Sequence, residues 1–96
     1  MPFEKSQTEQ GTVLWLKDEV TVAEAAELKN VLSRLTKDES CFALDVGQTT
    51  ELDTAIMQLI FSASKFAKEQ GVEMSLTGHS EALDSAMKRT GLNLVE

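Results

Sequence analysis

Short runs of strand-forming residues alternate with longer amphipathic segments, and this alternation constrains the fold more than any other feature of the sequence. Apolar runs at residues 13–16 and 41–46, and the alternation of apolar and polar residues at 72–77, predict three strands. Since helical segments separate them, we expect parallel pairing with right-handed crossovers and helices packed on the sheet. A segment at 3–6 predicts an antiparallel partner for the first strand, and residues 92–95 predict a final edge strand, so a mixed sheet is expected.

Three segments carry a helical pattern, and capping residues mark their ends. Thr21 and Glu24 have the spacing of a capping box, and apolar residues then recur every three or four positions. The second helix is expected to begin at Asp53, its N-cap, and to stop at Gly71, a residue suited to the left-handed conformation that follows many helices. Ser80 is expected to cap a third helix.

Charge and composition limit the ligands and the compartment that fit this chain. Its 96 residues include 16 acidic and 9 basic side chains, a formal net charge of −7 that argues against nucleic acid or anionic membrane as the main ligand. No apolar run approaches the roughly 18 residues of a membrane span, and the N-terminus lacks a signal-peptide apolar segment. The lone cysteine, Cys41, excludes an internal disulfide and favours a reducing compartment. We therefore expect a single cytoplasmic domain spanning residues 1–96, without membrane insertion.

Few residues could support catalysis or bind a metal ion. A nucleophile needs a base and an orienting group, yet His79 is the only histidine and is expected in a surface turn. Cys41 is expected at the head of a buried strand, where cysteine behaves as a small hydrophobe. Strand geometry and capping explain Asp45, Glu51 and Asp53 better than a hard metal ion does. Phosphate-binding loop motifs are absent. The sequence thus predicts neither an enzyme nor a metal or cofactor.

The string Leu52-Asp53-Thr54-Ala55, after an expected loop at 48–51, is the strongest candidate for a site. With Asp53 as N-cap, Thr54 falls at the first helical position with its hydroxyl near the surface. A phosphate there would be favoured by the helix N-terminus, but it would crowd Asp53 and add roughly −1.5 to −2 charges. These properties suit a docking switch. Spacing alone favours the simpler interpretation, an ordinary aspartate N-cap followed by a threonine without a special role.

The order of elements and two short strings resemble the STAS family, the sulfate-transporter and anti-sigma-factor-antagonist domains. The strings are Phe42-Ala43-Leu44-Asp45-Val46-Gly47 on the central strand and Leu52-Asp53-Thr54-Ala55 at the start of the second helix. The resemblance covers nearly the whole chain. It implies a single α/β STAS-like domain, with a mixed four- or five-stranded sheet and helices mainly on one face, and it implies a protein that does not catalyse.

The resemblance also assigns roles to residues. Thr54 takes the position that is phosphorylated by a partner kinase, itself an anti-sigma factor, with Asp53 beside it and Asp45 at the strand end. Ile56 replaces the usual glycine of the motif, and a bulky residue there would close off the surface facing the kinase's nucleotide lid. Thr54-Ala55 replaces the common serine pair. This D-T-A version resembles STAS proteins encoded with chemotaxis systems and the STAS accessory subunit of the ATP-driven phospholipid transporter of Gram-negative envelopes.

The resulting hypothesis is a regulatory protein-binding module, antagonist-like or chemotaxis-linked, that docks on an anti-sigma factor or serine/threonine kinase-type partner and is switched at Thr54. The alternative is a non-catalytic subunit bound to the ATPase of an ABC-type phospholipid transporter. Met57 lies off the apolar stripe, and two interpretations of it are open: an exposed side chain adaptable at an interface, or a partly buried filler. Dimerisation is left open. The candidate partner-binding residues are Asp45, Asp53, Thr54, Ala55, Met57 and Gln58.

Overall fold

The computed structural model describes residues 3–9 and 11–91, which form four strands and three α-helices. No helix within these residues combines the length and the apolar character needed to cross a membrane. The elements follow one another in the order β1 (Phe3–Thr8), β2 (Gly11–Val20), a 3-10 turn (Val22–Glu24), α1 (Ala25–Asp38), β3 (Cys41–Leu52), α2 (Thr54–Glu69), β4 (Glu73–Thr77) and α3 (Glu81–Thr90).

The four strands form one mixed sheet in the order β1-β2-β3-β4. β1 and β2 are antiparallel, with Thr8 opposite Gly11, whereas β2, β3 and β4 run parallel and are separated by helices. Antiparallel neighbours can be joined by a short turn, but parallel ones need a crossover, which here is helical. The mixed sheet predicted from the alternation is confirmed. The predicted last strand at 92–95 lies outside the described residues.

The core lies between one face of the sheet and all three helices. Leu14 on β2 and Leu44 on β3 lie opposite each other in the parallel pairing. Both are fully buried on the face of the sheet that the helices cover. Buried side chains of all three helices, among them Leu28, Ile60 and Leu83, belong to the same cluster. Because side chains alternate along a strand, the neighbouring positions point to the opposite, uncovered face.

The uncovered face of the sheet carries the chain's single tryptophan. Trp15 is half-buried there, and its indole Nε1 donates a hydrogen bond to Ser6 Oγ on β1 at 2.8 Å. Cys41 begins β3 on this same face, so the prediction that it is buried is wrong and its thiol is exposed. The apolar run 41–46 indicated a strand buried on both faces, but the helices cover only the face of Phe42, Leu44 and Val46.

β2 and β3 extend beyond their predicted ends. The prediction of a loop at residues 48–51 is therefore wrong. β3 continues to Leu52, where it still pairs with Val20 of β2. The pairing shifts register twice, and Asp18, which lies between the shifts, has a φ of +58°. The partner strand thus supplies ladder hydrogen bonds to a stretch whose own composition favours a turn. The extended β3 brings Leu52 directly to the start of α2.

Candidate functional site

The start of α2 is built as the sequence predicted. Asp53 has an extended backbone conformation at the N-cap, and its Oδ1 accepts a hydrogen bond from the backbone amide of Ile56 at 3.0 Å. This bond satisfies one of the amides that a helix start leaves without an intrahelical partner. Thr54 is the first helical residue and is exposed. Its side chain therefore lies at the surface, beside a fixed carboxylate.

The same carboxylate reaches a second segment. Asp53 Oδ2 accepts a hydrogen bond of 2.6 Å from the backbone amide of Val22, the first residue of the 3-10 turn that leads into α1. In that turn, Glu24 accepts from the amide of Thr21 at 3.0 Å, as the capping-box spacing predicted. Asp53 thus joins the beginnings of two helical segments through both of its oxygens. We call this double contact the Asp53 brace.

An exposed apolar side chain adjoins the Asp53 brace. Val22 is 66% exposed, and Val22 and Phe66 are the large hydrophobic side chains most exposed to solvent within the described part of the chain. The sequence analysis missed Val22 as a surface residue, because a valine at a helix start has the same local pattern whether it faces the core or solvent. What distinguishes Val22 is the hydrogen bond from its backbone amide to Asp53, a residue 31 positions further along the chain.

The next residues of α2 separate into buried and accessible positions. Ile56 and Met57 are both fully buried, so the interpretation of Met57 as an exposed side chain is wrong. α2 packs against α1, α3 and β4, and its buried arc is therefore wider than a single apolar stripe. The bulk of Ile56 had suggested that it closes off the surface at the start of α2. Its side chain is buried instead, so it does not do so. The accessible side chains are the exposed Thr54 and Gln58, with Ala55 half-buried between them.

Asp45 is placed apart from this surface. Its Oδ1 accepts from the backbone amide of Gly47 at 2.8 Å, and its Oδ2 accepts from the Thr77 hydroxyl at 3.0 Å. Asp45 alternates with Leu44 and Val46 and so lies on the uncovered face, opposite α2. Its carboxylate links the middle of β3 to the end of β4. The structure therefore does not bring Asp45 together with Asp53 and Thr54.

Gly78 allows the Asp45 linkage to form. A Cβ at Gly78 would lie 2.5 Å from Asp45 Oδ1 and 2.7 Å from the Gly47 amide nitrogen, and Gly78 has a φ of +78°. Only glycine fits both the close approach and the left-handed backbone. The turn that leads from β4 toward α3 is thereby held against the middle of β3.

α3 holds the strand end that leads into the site. Arg89 near its C-terminus donates a hydrogen bond from Nη2 to the backbone carbonyl of Leu52 at 2.6 Å. At the other end of α3, Ser80 caps the helix through the Leu83 amide and shares a buried hydrogen bond of 3.0 Å with Thr49. Ser80 was predicted as a cap, but its partner on β3 was not. α3 thus contacts the last four residues of β3 at two points, through Thr49 and through the backbone of Leu52.

The two residues considered for catalysis, His79 and Cys41, lie apart from the start of α2. His79 is exposed, and its Nε2 lies 3.1 Å from Asp84 Oδ2 on α3. Cys41 lies on the uncovered sheet face. Within residues 3–9 and 11–91, no three His, Cys, Asp or Glu side chains are close enough together to hold a metal ion. At Asp53 and Thr54 the structure presents a capped helix start with an exposed threonine.

The mixed sheet, the helices on one face and the capped helix that follows the long central strand define an α/β domain of the STAS class. The chain belongs to the STAS family, since the family model described as "Mlab, STAS domain" matches residues 3–95. The resemblance drawn from the two sequence strings is thereby confirmed. A comparison with curated protein sequences finds no significant match.

Solved structures share this fold at low sequence identity. An anti-sigma factor antagonist from Mycobacterium paratuberculosis superimposes with a TM-score of 0.78 at 11% identity, covering 93% of this chain and 76% of that one. RsbS of Moorella thermoacetica, with a serine-to-glutamate substitution, gives 0.75 at 17% identity, covering 98% and 81%. Mglu gives 0.70 at 14% identity over 81% of this chain, which spans only 20% of the Mglu chain. At these identities the likeness shows the fold alone.

Proposed function

We propose that this chain is a non-catalytic docking module that acts like an anti-sigma factor antagonist, with the start of α2 as its contact surface. The observation that carries the proposal is the exposed Thr54 at the first position of α2, beside the Asp53 brace. Membership of the STAS family and the similar fold of an anti-sigma factor antagonist support it. The partner on this hypothesis is a cytoplasmic anti-sigma factor of the serine/threonine kinase type.

The proposed docking surface combines an apolar contact with polar neighbours. Thr54 and Gln58 are four residues apart and so share one face of α2, with Ala55 beside them. Val22, held next to Asp53, adds exposed apolar area. Apolar contacts with a polar, accessible rim are typical of protein interfaces. Because its backbone amide is bonded to Asp53, Val22 is presented in a fixed position.

A phosphate on Thr54 would act on this surface through charge. It would add roughly −1.5 to −2 charges next to the Asp53 carboxylate, which its two hydrogen bonds keep in place. The helix N-terminus favours an anion, so the modified residue would remain compatible with the fold. A partner surface matched to a neutral hydroxyl would then meet an uncompensated negative charge. Phosphorylation would therefore release the partner.

The second candidate is a permanent subunit of a transporter ATPase. The D-T-A string at residues 53–55 favours it, because the string departs from the serine pair typical of phosphorylated STAS proteins. In that case the Thr54 hydroxyl would serve only as a contact. The two functions differ in whether the partner remains bound and whether Thr54 carries a phosphate.

Replacing Thr54 by glutamate tests the docking surface. We expect Thr54→Glu to weaken binding to the partner by about tenfold or more, because it places a fixed charge in the contact. The Thr54→Ser variant keeps the hydroxyl and should bind like the natural chain. Ser85→Glu, at an exposed position on α3, is the matched control for added charge. Calorimetry with a purified kinase-type anti-sigma factor or transporter ATPase measures the affinities.

Circular dichroism should show that all three variants remain folded. Undiminished binding by a folded Thr54→Glu protein would overturn the proposal. Intact-mass spectra then separate the two candidates. One phosphate on Thr54 after incubation with the partner and ATP supports the antagonist role, and a constant subunit ratio without phosphate supports the ATPase subunit.

A further inference from the structure

A continuous groove runs between α1 and α2, away from the sheet. It begins between Ala25 and Ala55, passes Leu59, and ends between Thr36 and Phe66. We call it the α1–α2 groove. Its central cavity has a volume of about 280 Å³ and is lined mainly by apolar and small side chains. The eleven steps from Ala55 to Phe66 correspond to about 16 Å of helix, roughly three turns.

The groove has one exposed aromatic side chain at its end and small side chains along both walls. Phe66 is 46% exposed at one end, where it borders two adjoining cavities. Leu59 and Ala63 are only half-buried, although they contact the core. Small side chains on both walls let a partner's backbone approach closely. An occupant that covers Phe66 and Leu59 would remove exposed apolar area of the helical layer from contact with water.

The backbone of the groove walls determines what kind of occupant fits. Both walls are α-helices, whose interior amides and carbonyls are already bonded within each helix. An extended peptide lying between them would find no backbone partners, and its own buried amides would remain unsatisfied. A helix satisfies its backbone internally and can bury an apolar stripe in such a groove. The walls therefore favour a helical occupant.

Charge at the groove differs in sign from the charge of the whole chain. Lys29 lines the middle of the groove, and Lys37 lines its far end together with Glu39; neither lysine forms an ion pair with any described residue. The net charge of −7 is screened beyond about 8 Å at physiological salt, so the nearby lysines decide which side chains are favoured at the rim. α1 and α2 carry five basic residues, Lys29, Arg34, Lys37, Lys65 and Lys68, against three acidic ones, Glu27, Asp38 and Glu69.

We infer that the α1–α2 groove receives an amphipathic helix of the partner protein, with its apolar stripe on Leu59 and Phe66 and acidic side chains facing Lys29. The inference rests on the proposed docking function, because it extends the contact surface from Thr54 along the length of α2. Ala55 and Gln58 border both surfaces, so one partner segment can cover them together. The partner helix spans roughly three turns.

Two designed peptides test the groove without the natural partner. Both are amphipathic helices of about 18 residues, long enough to fold in isolation, with the same apolar stripe and with either glutamate or lysine along its flanks. We expect the glutamate peptide to bind roughly fivefold more tightly than the lysine peptide, the size of effect that a rim ion pair provides. Fluorescence anisotropy of labelled peptides measures both affinities, and NMR shift mapping locates the bound peptide.

Variants of the full chain make the test specific. Lys29→Glu should reverse the order of the two peptides, whereas Lys88→Glu, at an exposed lysine on α3, should leave it unchanged. Phe66→Ser should weaken both peptides. The inference would be overturned if the two peptides bound with equal affinity and Lys29→Glu did not change this. NMR shifts on the uncovered sheet face would also overturn it. A concentration-dependent dimer that Phe66→Ser abolishes would also overturn it, since a second copy would then occupy the groove.

The peptide test and the Thr54 test fail independently. If neither peptide binds but Thr54→Glu still abolishes partner binding, the groove inference is wrong and the proposed function stands. If the glutamate peptide binds as expected while Thr54→Glu leaves partner binding intact, the proposed contact at Thr54 is wrong.

Discussion

Asp53 Oδ2 and the backbone amide of Val22 are joined by a hydrogen bond of 2.6 Å across 31 positions of sequence. The other oxygen of Asp53 caps α2 through Ile56. One carboxylate thus sets the position of the segment before α1 relative to the start of α2. The relative position of Val22 and Thr54, and with it the shape of the proposed docking surface, depends on this residue.

Asp53→Ala should destabilise the fold by about 1–2 kcal/mol, because it removes both an N-cap and a charge-assisted hydrogen bond. Asp53→Asn should lose less, since asparagine is an equally good N-cap and its oxygen can still accept from Ile56, whereas its NH2 group cannot accept from the Val22 amide. Urea unfolding followed by circular dichroism measures both values. An Asp53→Ala protein as stable as the natural chain would show that the Asp53 brace contributes nothing to stability.

Gly78→Ala should be more destabilising than Gly71→Ala, although both glycines have a similar positive φ. At Gly71 nothing lies within 4 Å of an added Cβ, so only the backbone cost of about 1–2 kcal/mol applies. At Gly78 the Cβ also meets Asp45 Oδ1 and the backbone of Gly47. We expect a fall in Tm several degrees larger for Gly78→Ala, measured by calorimetry. Equal losses would contradict the steric role assigned to Gly78.

Met57→Ala should cost about 2–5 kcal/mol, as expected when a buried side chain leaves a cavity. The adjacent Gln58→Ala is the matched control at an exposed position, and its free energy of unfolding should change by no more than about 0.5 kcal/mol. Chemical denaturation of the two variants compares them directly. Similar small effects for both would mean that Met57 lies at the surface, as its sequence position had suggested.

Glu4 and Lys17 provide a prediction that depends on pH. The hydrogen bond and the nearby charge of Lys17, 2.6 Å away, lower the pKa of Glu4. A lowered pKa in the folded state means that the pair stabilises the fold above the unfolded pKa, and that this contribution is lost as pH falls through the folded pKa. Glu4 is exposed, so the contribution is small.

Lys17→Met should raise the pKa of Glu4 toward its ordinary value, which an NMR titration of the Glu4 carboxyl carbon detects. Lys5→Met, on the same strand as Glu4 but on the opposite side, should leave the titration of Glu4 unchanged. An unaltered Glu4 titration in Lys17→Met would rule out Lys17 as the cause of the shift.

Local patterns were sufficient to predict the order of elements and the ends of α2. Periodicity distinguished strands from helices, and the Asp53 and Ser80 caps followed from residue type and spacing because capping is a contact between near neighbours. The position of Thr54 at the surface followed from the same cap. These features depend on interactions within a few residues, which the sequence displays directly.

The errors concern contacts between distant segments. Met57 is buried because three neighbouring elements surround α2, and Cys41 is exposed because no helix covers its face of β3. Residues 48–51 are in a strand because β2 extends far enough to pair with them. The Asp53–Val22 contact likewise joins positions that no local spacing relates. The fold class was therefore predictable, while the composition of the surface at α2 required the structure.

Trp15 makes the uncovered side of the sheet optically distinct from the helical side. It is the chain's single indole, and it is anchored through Ser6 on a face that neither α1 nor α2 touches. Ultraviolet emission from the natural protein consequently monitors separation of the β1–β2 hairpin during denaturation, and it stays constant when a non-fluorescent molecule associates with the opposite side. Folding and association can thus be followed separately without attaching a dye.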